Sequence, residues 1–381
     1  MPPAPADVVS ITTLADRESL RRNVELRLDT ACARVRALVS GTGTGAERLS
    51  DLLEVMLGGG KRLRAAFAYW AWRAHGGAPG EGAGGSGPQG GAIIGIGAAL
   101  ELFQAAALFH DDVIDRSDRR RGHPTAHVVL AADHRAAGWE GSAPHHGTAG
   151  AILLGDLALV AAGTEISGAA AQLPPQDGHR VHALWDEMAT TVTAGQFLDV
   201  RAQAVPWGRD PAADELRARE VILAKTASYS AELPLAMGAA TAGASDTAVA
   251  SMRAFGRTLG EAFQLRDDVL GVFGDPEQTG KPAGDDVREG KRTLLLARAA
   301  VRADPGQRAL VAQRLGRADL SAADIDQVRE VLVATGALDS VEERITELYE
   351  TALRQLAQAE LTPVGRASLE ELAAATVQRS V

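Results

Sequence analysis

The chain has one cysteine in 381 residues, Cys32. An internal disulfide is therefore excluded, and a lone thiol suits a reducing compartment, so a cytoplasmic location is expected. Aromatic residues make up only 4% of the sequence, and runs in which Val, Ile or Thr alternate with polar residues are scarce. Hairpins and sheets are accordingly not expected. Positive charge is in deficit too: 39 Lys and Arg stand against 49 Asp and Glu, a net charge of −10, which argues against general nucleic-acid binding. Long apolar runs are broken by acids, Glu101 within 92–109 and Asp156 within 149–162. A membrane span needs roughly 20 uninterrupted apolar residues. Residues 1–10 also lack the basic start and apolar centre of a signal peptide. The expectation is a soluble protein that does not span a membrane.

What is present is a hydrophobic share of 46%, rich in Ala and Leu and ample for a large core. Apolar positions recur at helical spacing over about 20–39, 49–57, 62–75, 92–116, 148–168, 178–203, 212–230 and 245–272. They recur again near 291–303, 321–335, 338–360 and 364–378. Residues 1–15 read as a flexible arm, 75–91 as a Gly/Pro-rich loop and 133–147 as a second loop containing His145 and His146. No fixed-period repeat divides the chain. The reading is one all-α domain over 16–381, an antiparallel helical bundle around a central cavity.

Two acid clusters dominate: Asp111-Asp112-Val113-Ile114-Asp115, and Asp267-Asp268-Val269-Leu270-Gly271. Each ends a long apolar helical segment. On a helix, Asp111 and Asp115 share a face, with Asp112 beside them. Crowded carboxylates in partly apolar surroundings repel one another and tend to protonate, a conflict that a bound cation removes. Oxygen-only donors select a hard ion such as magnesium. One cluster alone would suit a solvated helix end. Two, each followed by basic residues, point to metal ions bridging to a phosphate-rich ligand.

The basic residues are grouped as an anion site requires. Gly59-Gly60-Lys61-Arg62-Leu63-Arg64 sets glycines before a helix start, with Lys61 and Arg64 three apart. After the first acids come Arg116, Arg119, Arg120 and Arg121. They serve either as charge balance or as guanidinium forks for phosphate, and the second use requires forks left open. After the second acids, 274–293 contains Gly280-Lys281-Pro282 and Gly290-Lys291-Arg292-Thr293 and reads as a mobile lid. Lys225-Thr226 adds a cation and a hydroxyl. Gln196 and Asp199 lie three apart in apolar helix and could equally be satisfied buried polar residues.

Together these motifs resemble the trans-isoprenyl diphosphate synthase (polyprenyl synthetase) family, most like its bacterial geranylgeranyl diphosphate synthases. The likeness runs from about residue 58 to 293 and includes Gly155-Asp156, Gly195-Gln196-Phe197-Leu198-Asp199 and Gln264 before the second acids. It implies a homodimer of the isoprenoid synthase fold using three magnesium ions. Asp111 and Asp115 would bind two ions with Asp112 supporting, and Asp267 helped by Asp268 would bind the third. Arg120, Lys225 and Lys281 would hold an allylic diphosphate. Lys61, Arg64 and Arg121 would hold isopentenyl diphosphate. Thr226 and Gln264 would line the reacting centre.

Two residues depart from the family pattern. Gln104 stands where the family often has a His ligand of isopentenyl diphosphate, and Gly271 replaces the third acid of the second cluster. One helical turn above Asp111, the small Ala106 and Ala107 should let growth pass fifteen carbons. Phe103, a turn deeper, is the nearest bulky floor, so a twenty-carbon product, geranylgeranyl diphosphate, is expected. Two rivals are a terpene cyclase of related fold, which needs no second diphosphate pocket, and a non-catalytic subunit, which typically loses its aspartates.

Overall fold

A computed structural model of the protein describes residues 9–79, 87–274 and 284–378. In chain order its helices are α1 (Ile11–Asp16), α2 (Leu20–Ser40), α3 (Glu47–Leu57), α4 (Leu63–Ala74), α5 (Pro88–Ile114), α6 (Ala126–Ala136), α7 (Ala143–Ala170), α8 (Pro175–Ala204) and α9 (Pro211–Val221). A π-helical stretch, Ile222–Glu232, leads into α10 (Leu233–Thr241) and α11 (Asp246–Phe273). The remainder are α12 (Asp285–Glu289), α13 (Leu294–Arg302), α14 (Pro305–Arg314), α15 (Ala322–Ala334), α16 (Ala337–Gln358) and α17 (Pro363–Val377). Among the described residues the only strands are Arg119–Arg120 and His123–Pro124, a minimal antiparallel pair after the first acids. The all-α reading holds.

The long helix α5 is the axis. It packs against α7, α4 and α2, and its Ile93, Ile96, Leu100 and Leu102 are fully enclosed. By length and composition α5 and α7 could each cross a membrane, but α5 is wrapped on nearly all sides by the bundle. Its one mid-helix acid, Glu101, is buried and paired at 3.3 Å with the equally buried Arg62. That pairing makes a charge tolerable inside an apolar helix. The opposing helix α11 packs on the π-helical stretch and on α16. Its buried face runs through Phe255, Leu259, Ala262, Leu265 and Val269, the i, i+3, i+4 stripe of an amphipathic helix.

Three expectations need correction. Of the arm expected over 1–15, residues 1–8 lie outside the described residues, while its end is a helix from Ile11 to Asp16, capped by Ser10, with Ile11, Leu14 and Ala15 buried. These apolar residues close a gap against α4 and α17. The loop expected over 133–147 shrinks to the turn between α6 and α7: α7 begins at Ala143, where Ser142 caps the backbone N–H of His145 and Pro144 occupies the first turn. The helix expected to stop near 230 continues to Thr241. Pro234 is tolerated there because it falls in the first turn of α10.

Candidate active site

The acid-bearing ends of α5 and α11 face one cavity of about 930 Å³. Asp111, Asp267 and Asp268 line it together with Lys61, Arg64, Gln104, Arg120, Lys225, Thr226 and Gln264. Ten residues singled out from the sequence thus converge from five separated segments. Asp112 is enclosed beneath them at 1% exposure, Asp115 forms the half-buried end of α5, and Arg121 is exposed outside the lining, its guanidinium beside Gly60. Lys281 lies outside the described residues, as does the part of the expected lid from 275 to 283.

The π-helical stretch supplies Lys225 and Thr226 on one side of the cavity and Tyr229 and Ser230 on another. A π-turn spends an extra residue per hydrogen-bonded loop and re-aims side chains, and such turns cluster at functional sites. It is clamped by close backbone approach. A Cβ at Gly195 of α8 would sit 2.4 Å from the Lys225 nitrogen, and one at Gly260 of α11 would sit 2.7 Å from the Ala227 Cα. The glycine of the 195–199 motif is therefore a spacer that brings α8 onto Lys225.

Lys225 Nζ donates to Asp199 at 2.6 Å and to Asp111 Oδ1 at 3.1 Å, and Gln196 Nε2 donates to the same Asp111 oxygen at 3.1 Å. Gln196 and Asp199, ambiguous in sequence, are thus the residues that orient the first acid and its lysine. Arg120 binds Asp112 Oδ1 through Nε at 2.9 Å and Nη2 at 2.5 Å. Its fork is spent on an acid, as charge balance predicts. Arg121 differs, since its foremost acidic neighbour, Glu101, is already paired with Arg62. Burial, with Arg120, Arg62 and Arg64 nearby, holds the Arg121 guanidinium below its usual range against the pull of Glu101. A cluster of cations in that state, with Arg62 and Arg64 buried and Arg121 open to solvent, favours an anion. The residues that build it are backbone-strained: Arg62 and Arg121 have φ of 53° and 50°, in the left-handed region that non-glycine residues avoid.

Arg64 is held by Gln104 and, at 2.9 Å, by the Ser230 hydroxyl, with its guanidinium 4.1 Å over the Tyr229 ring. Gln104 accepts from Arg64 here, so this departure from the family pattern fixes a cation in place. The cation–aromatic stack was not foreseen, because nothing in the spacing ties residue 64 to residue 229. In sequence Lys291 reads only as part of a loop. It pairs with Asp286 at 3.3 Å and Glu289 at 2.6 Å, and both acids sit on α12, which folds back toward Asp115.

The acids divide electrostatically. Burial opposes ionisation of Asp111, but Lys225, Lys291 and Arg120 outweigh it and hold the carboxyl below the ordinary range. Asp115 is pushed up to about 7, by burial first and then by the Asp111 carboxylate. Asp268 is pushed well above the ordinary range by burial and by Asp286, while Gln264 bonds it at 2.7 Å. These upward shifts come from crowding carboxylates in a buried place, and hard oxygen donors on two facing helices fit divalent cations. His110, adjacent to Asp111, is turned away to the Ile152 carbonyl at 3.1 Å and Asp156 at 3.4 Å, leaving an oxygen-only set. Among the described residues no three acids by themselves enclose one ion. A metal here would take further oxygens from its ligand.

The three chain-length residues lie outside the cavity lining. Ala106 is fully buried, Ala107 half-buried, and Phe103 is 4% exposed. The Phe103 ring packs edge-on to Trp185 of α8 at 5.5 Å and to Tyr229 at 6.2 Å.

The chain is similar to known proteins over most of its length. The polyprenyl synthetase family model matches residues 46–332. A geranylfarnesyl diphosphate synthase of Aeropyrum pernix is 33% identical over 308 residues, 80% of this chain and 86% of that one. The octaprenyl diphosphate synthase of Escherichia coli K12 is 32% identical over 330 residues, 85% and 88% of the two chains. A crystal structure of geranylgeranyl pyrophosphate synthase from Corynebacterium glutamicum, complexed with isoprenyl diphosphate and magnesium, superposes with a TM-score of 0.87. It is 37% identical and covers 96% of this chain and 100% of that one. This chain belongs to the polyprenyl synthetase family and is a prenyltransferase of the isoprenyl diphosphate synthase type.

Proposed function

We propose that the protein condenses isopentenyl diphosphate with an allylic diphosphate (dimethylallyl, geranyl or farnesyl) to give a longer trans-prenyl diphosphate, with geranylgeranyl diphosphate as the main product. The observation that carries this reading is the convergence on one cavity of two acid clusters and a separate cation group, Lys61 with Arg64. Two charged groups need two sites. A cyclase would have no use for the second, and a non-catalytic subunit would have no use for intact Asp111, Asp115, Asp267 and Asp268.

Asp111 and Asp115 would hold two magnesium ions and Asp267 with Asp268 a third, while Asp112 fixes Arg120 beside them. When bound, the ions draw off the negative charge that develops on the departing diphosphate. Lys225 supplies positive charge and an N–H donor to that diphosphate, Arg120 adds positive charge while its Nε and Nη2 hold Asp112, and Lys281 is proposed to join them. Lys61, Arg64 and Arg121 seat the diphosphate of the isopentenyl partner, with Gln104 steadying Arg64. Thr226 and Gln264 face the reacting carbons. The allylic carbon–oxygen bond breaks, the isopentenyl double bond forms the new carbon–carbon bond, and the proton lost passes to released diphosphate. Apolar side chains such as Leu108 and Phe263 keep water from the cation.

Product length is argued from Ala106, Ala107 and Phe103, since the relatives above are named for products of different lengths. Cytoplasmic location is proposed from the single buried thiol. A homodimer is proposed from the apolar face of α7 and α8, where Val160 and Phe197 are 68% and 67% exposed with Ile152 and Leu153 nearby in the chain. Sedimentation tests this: a monomer at micromolar concentration sinks it.

Mass spectrometry of products made from isopentenyl diphosphate, magnesium and each allylic primer tests the function. A dominant twenty-carbon diphosphate supports both class and length. Longer chains retain the class and remove the Phe103 argument. Hydrocarbon formed without isopentenyl diphosphate means a cyclase, and no turnover means a non-catalytic subunit.

A further inference from the structure

Most cations that line the cavity are spent on partners. Arg120 forks onto Asp112, Lys225 is shared between Asp111 and Asp199, Lys291 pairs with Asp286 and Glu289, and Arg64 is held by Gln104 and Ser230. Arg292, which lines the same cavity directly after Lys291, differs. Its side chain makes no hydrogen bond or ion pair with any described residue, and its Nε is buried without a partner. The acid that acts on it, Asp214, is fully buried and already taken by Arg217 and, at 2.8 Å, by the Gly208 N–H.

What holds Arg292 is a ring. Its guanidinium carbon lies 5.6 Å from the centre of the Trp207 ring, within the reach of cation–aromatic attraction. That ring is itself fixed in the turn between α8 and α9. Next to it, Gly208 takes a left-handed φ of 80° and gives its N–H to Asp214, and Asp210 caps α9 through the Ala213 N–H at 3.1 Å. On the other side, Thr293 caps α13, which packs on α9, so Arg292 leaves the chain beside the junction of those two helices. Ala218, Val221 and Ile222, between Trp207 and Lys225 in the chain, line the cavity as well. Stacking occupies the face of a guanidinium and leaves its in-plane N–H donors for a phosphate.

We propose that Arg292 is a further diphosphate-binding residue of this chain, a guanidinium laid on the Trp207 ring at the α9 side of the cavity that takes the allylic diphosphate and, after reaction, the released one. The allylic group is assigned because Arg292 adjoins Lys291, whose charge acts on Asp111 and Asp115. Lys61 and Arg64, the cations assigned to the isopentenyl partner, stand instead at the start of α4. This inference rests on the function proposed above.

The test uses the full chain, with inorganic pyrophosphate and magnesium as the probe, and measures binding by calorimetry in wild type, Arg292→Gln and Trp207→Leu. Thermal melts and steady-state kinetics accompany it. Arg292→Gln is expected to weaken pyrophosphate binding about 10- to 100-fold, the weight of a hydrogen bond between charged groups. It should raise KM for the allylic diphosphate and leave KM for isopentenyl diphosphate as in wild type. Trp207→Leu keeps Arg292 but removes its platform, so it should weaken binding by a smaller factor; no loss there overturns the part given to the ring. Equal pyrophosphate binding by wild type and Arg292→Gln overturns the proposal. So does an equal rise in both KM values with a lowered melting temperature, which would mean that Arg292 serves only the packing of Trp207. A measurement on wild type covers an Arg292→Gln that does not fold. Labelling of Arg292 by phenylglyoxal, read by peptide mass spectrometry, should fall when magnesium and pyrophosphate are bound, and unchanged labelling overturns the proposal. Wild type that does not bind pyrophosphate with magnesium removes the proposed function itself, and this inference with it.

Discussion

Asp115 shows how far one residue can be displaced from ordinary behaviour by its neighbours. Burial and the Asp111 carboxylate raise its pKa from 3.8 to about 7. Between those values the folded protein carries a proton that the unfolded chain has released. Stability of the metal-free protein therefore falls as pH rises through that window, and this contribution is flat above it. Asp111 is held low, so its own contribution lies at lower pH and does not mask this one. Asp268 is raised as well and adds a slope of the same sign, which makes the difference between proteins the informative quantity. Denaturant unfolding in EDTA at several pH values should show wild type losing more stability than Asp115→Asn as pH rises from about 4 to 7. Parallel curves would mean that Asp115 titrates normally and that Asp111 does not crowd it. Residues of this kind were legible in sequence because acids at helical spacing after an apolar run have few other uses. Their orienting partners were not: Gln196 and Asp199 gain meaning only when α8 is seen to lie against Lys225.

At the level of elements, the decisive feature is the π-helical stretch gripped between α8 and α11. Hydrophobic periodicity gave the long helices to within a few residues, because each has a broad apolar stripe facing a core. It missed α6 and α14, where the stripe is thin: α14 buries none of its side chains and is held by a capping box between Asp304 and Gln307. It also merged the π-helical stretch into ordinary helix, since one extra residue per turn hardly disturbs a pattern of apolar residues over so short a span. Yet this is the element that aims Lys225. Gly195→Ala puts a methyl group where the Lys225 backbone now lies. The stretch must then shift, and kcat is expected to drop by about 10- to 100-fold, the cost of a displacement near 1 Å at a catalytic group. Steady-state kinetics alongside a thermal melt separate the outcomes. A folded variant with unchanged kcat would show that the close approach serves packing alone.

At the scale of the whole molecule, the question is how a growing chain finds room in a bundle whose interior is already filled. Tyr229 lines the cavity, and Phe103 of α5 and Trp185 of α8, outside the lining, continue an edge-to-face series from its ring. Phe103 precedes Asp111 by two helical turns, about 12 Å along the axis, which is the basis for proposing its ring as the floor that stops product growth. Sequence spacing could identify Phe103, which shares a helix with the acids. It could not identify Trp185, 82 residues away on α8, whose ring meets Phe103 only once the chain is folded. If the aromatics are walls in series, removing them should lengthen the product in steps. Phe103→Ala is expected to shift the dominant product one isoprene unit beyond that of wild type, with Trp185 as the next barrier. Phe103→Ala/Trp185→Ala should extend it further and broaden the distribution, because a cavity lined by small side chains no longer specifies a single stopping point. Chromatography of dephosphorylated products gives the answer directly. An unchanged product from the folded single variant would remove Phe103 as a floor. A double variant matching the single one would reduce Trp185 to core packing and direct attention to Tyr229, which already faces the cavity under the guanidinium of Arg64.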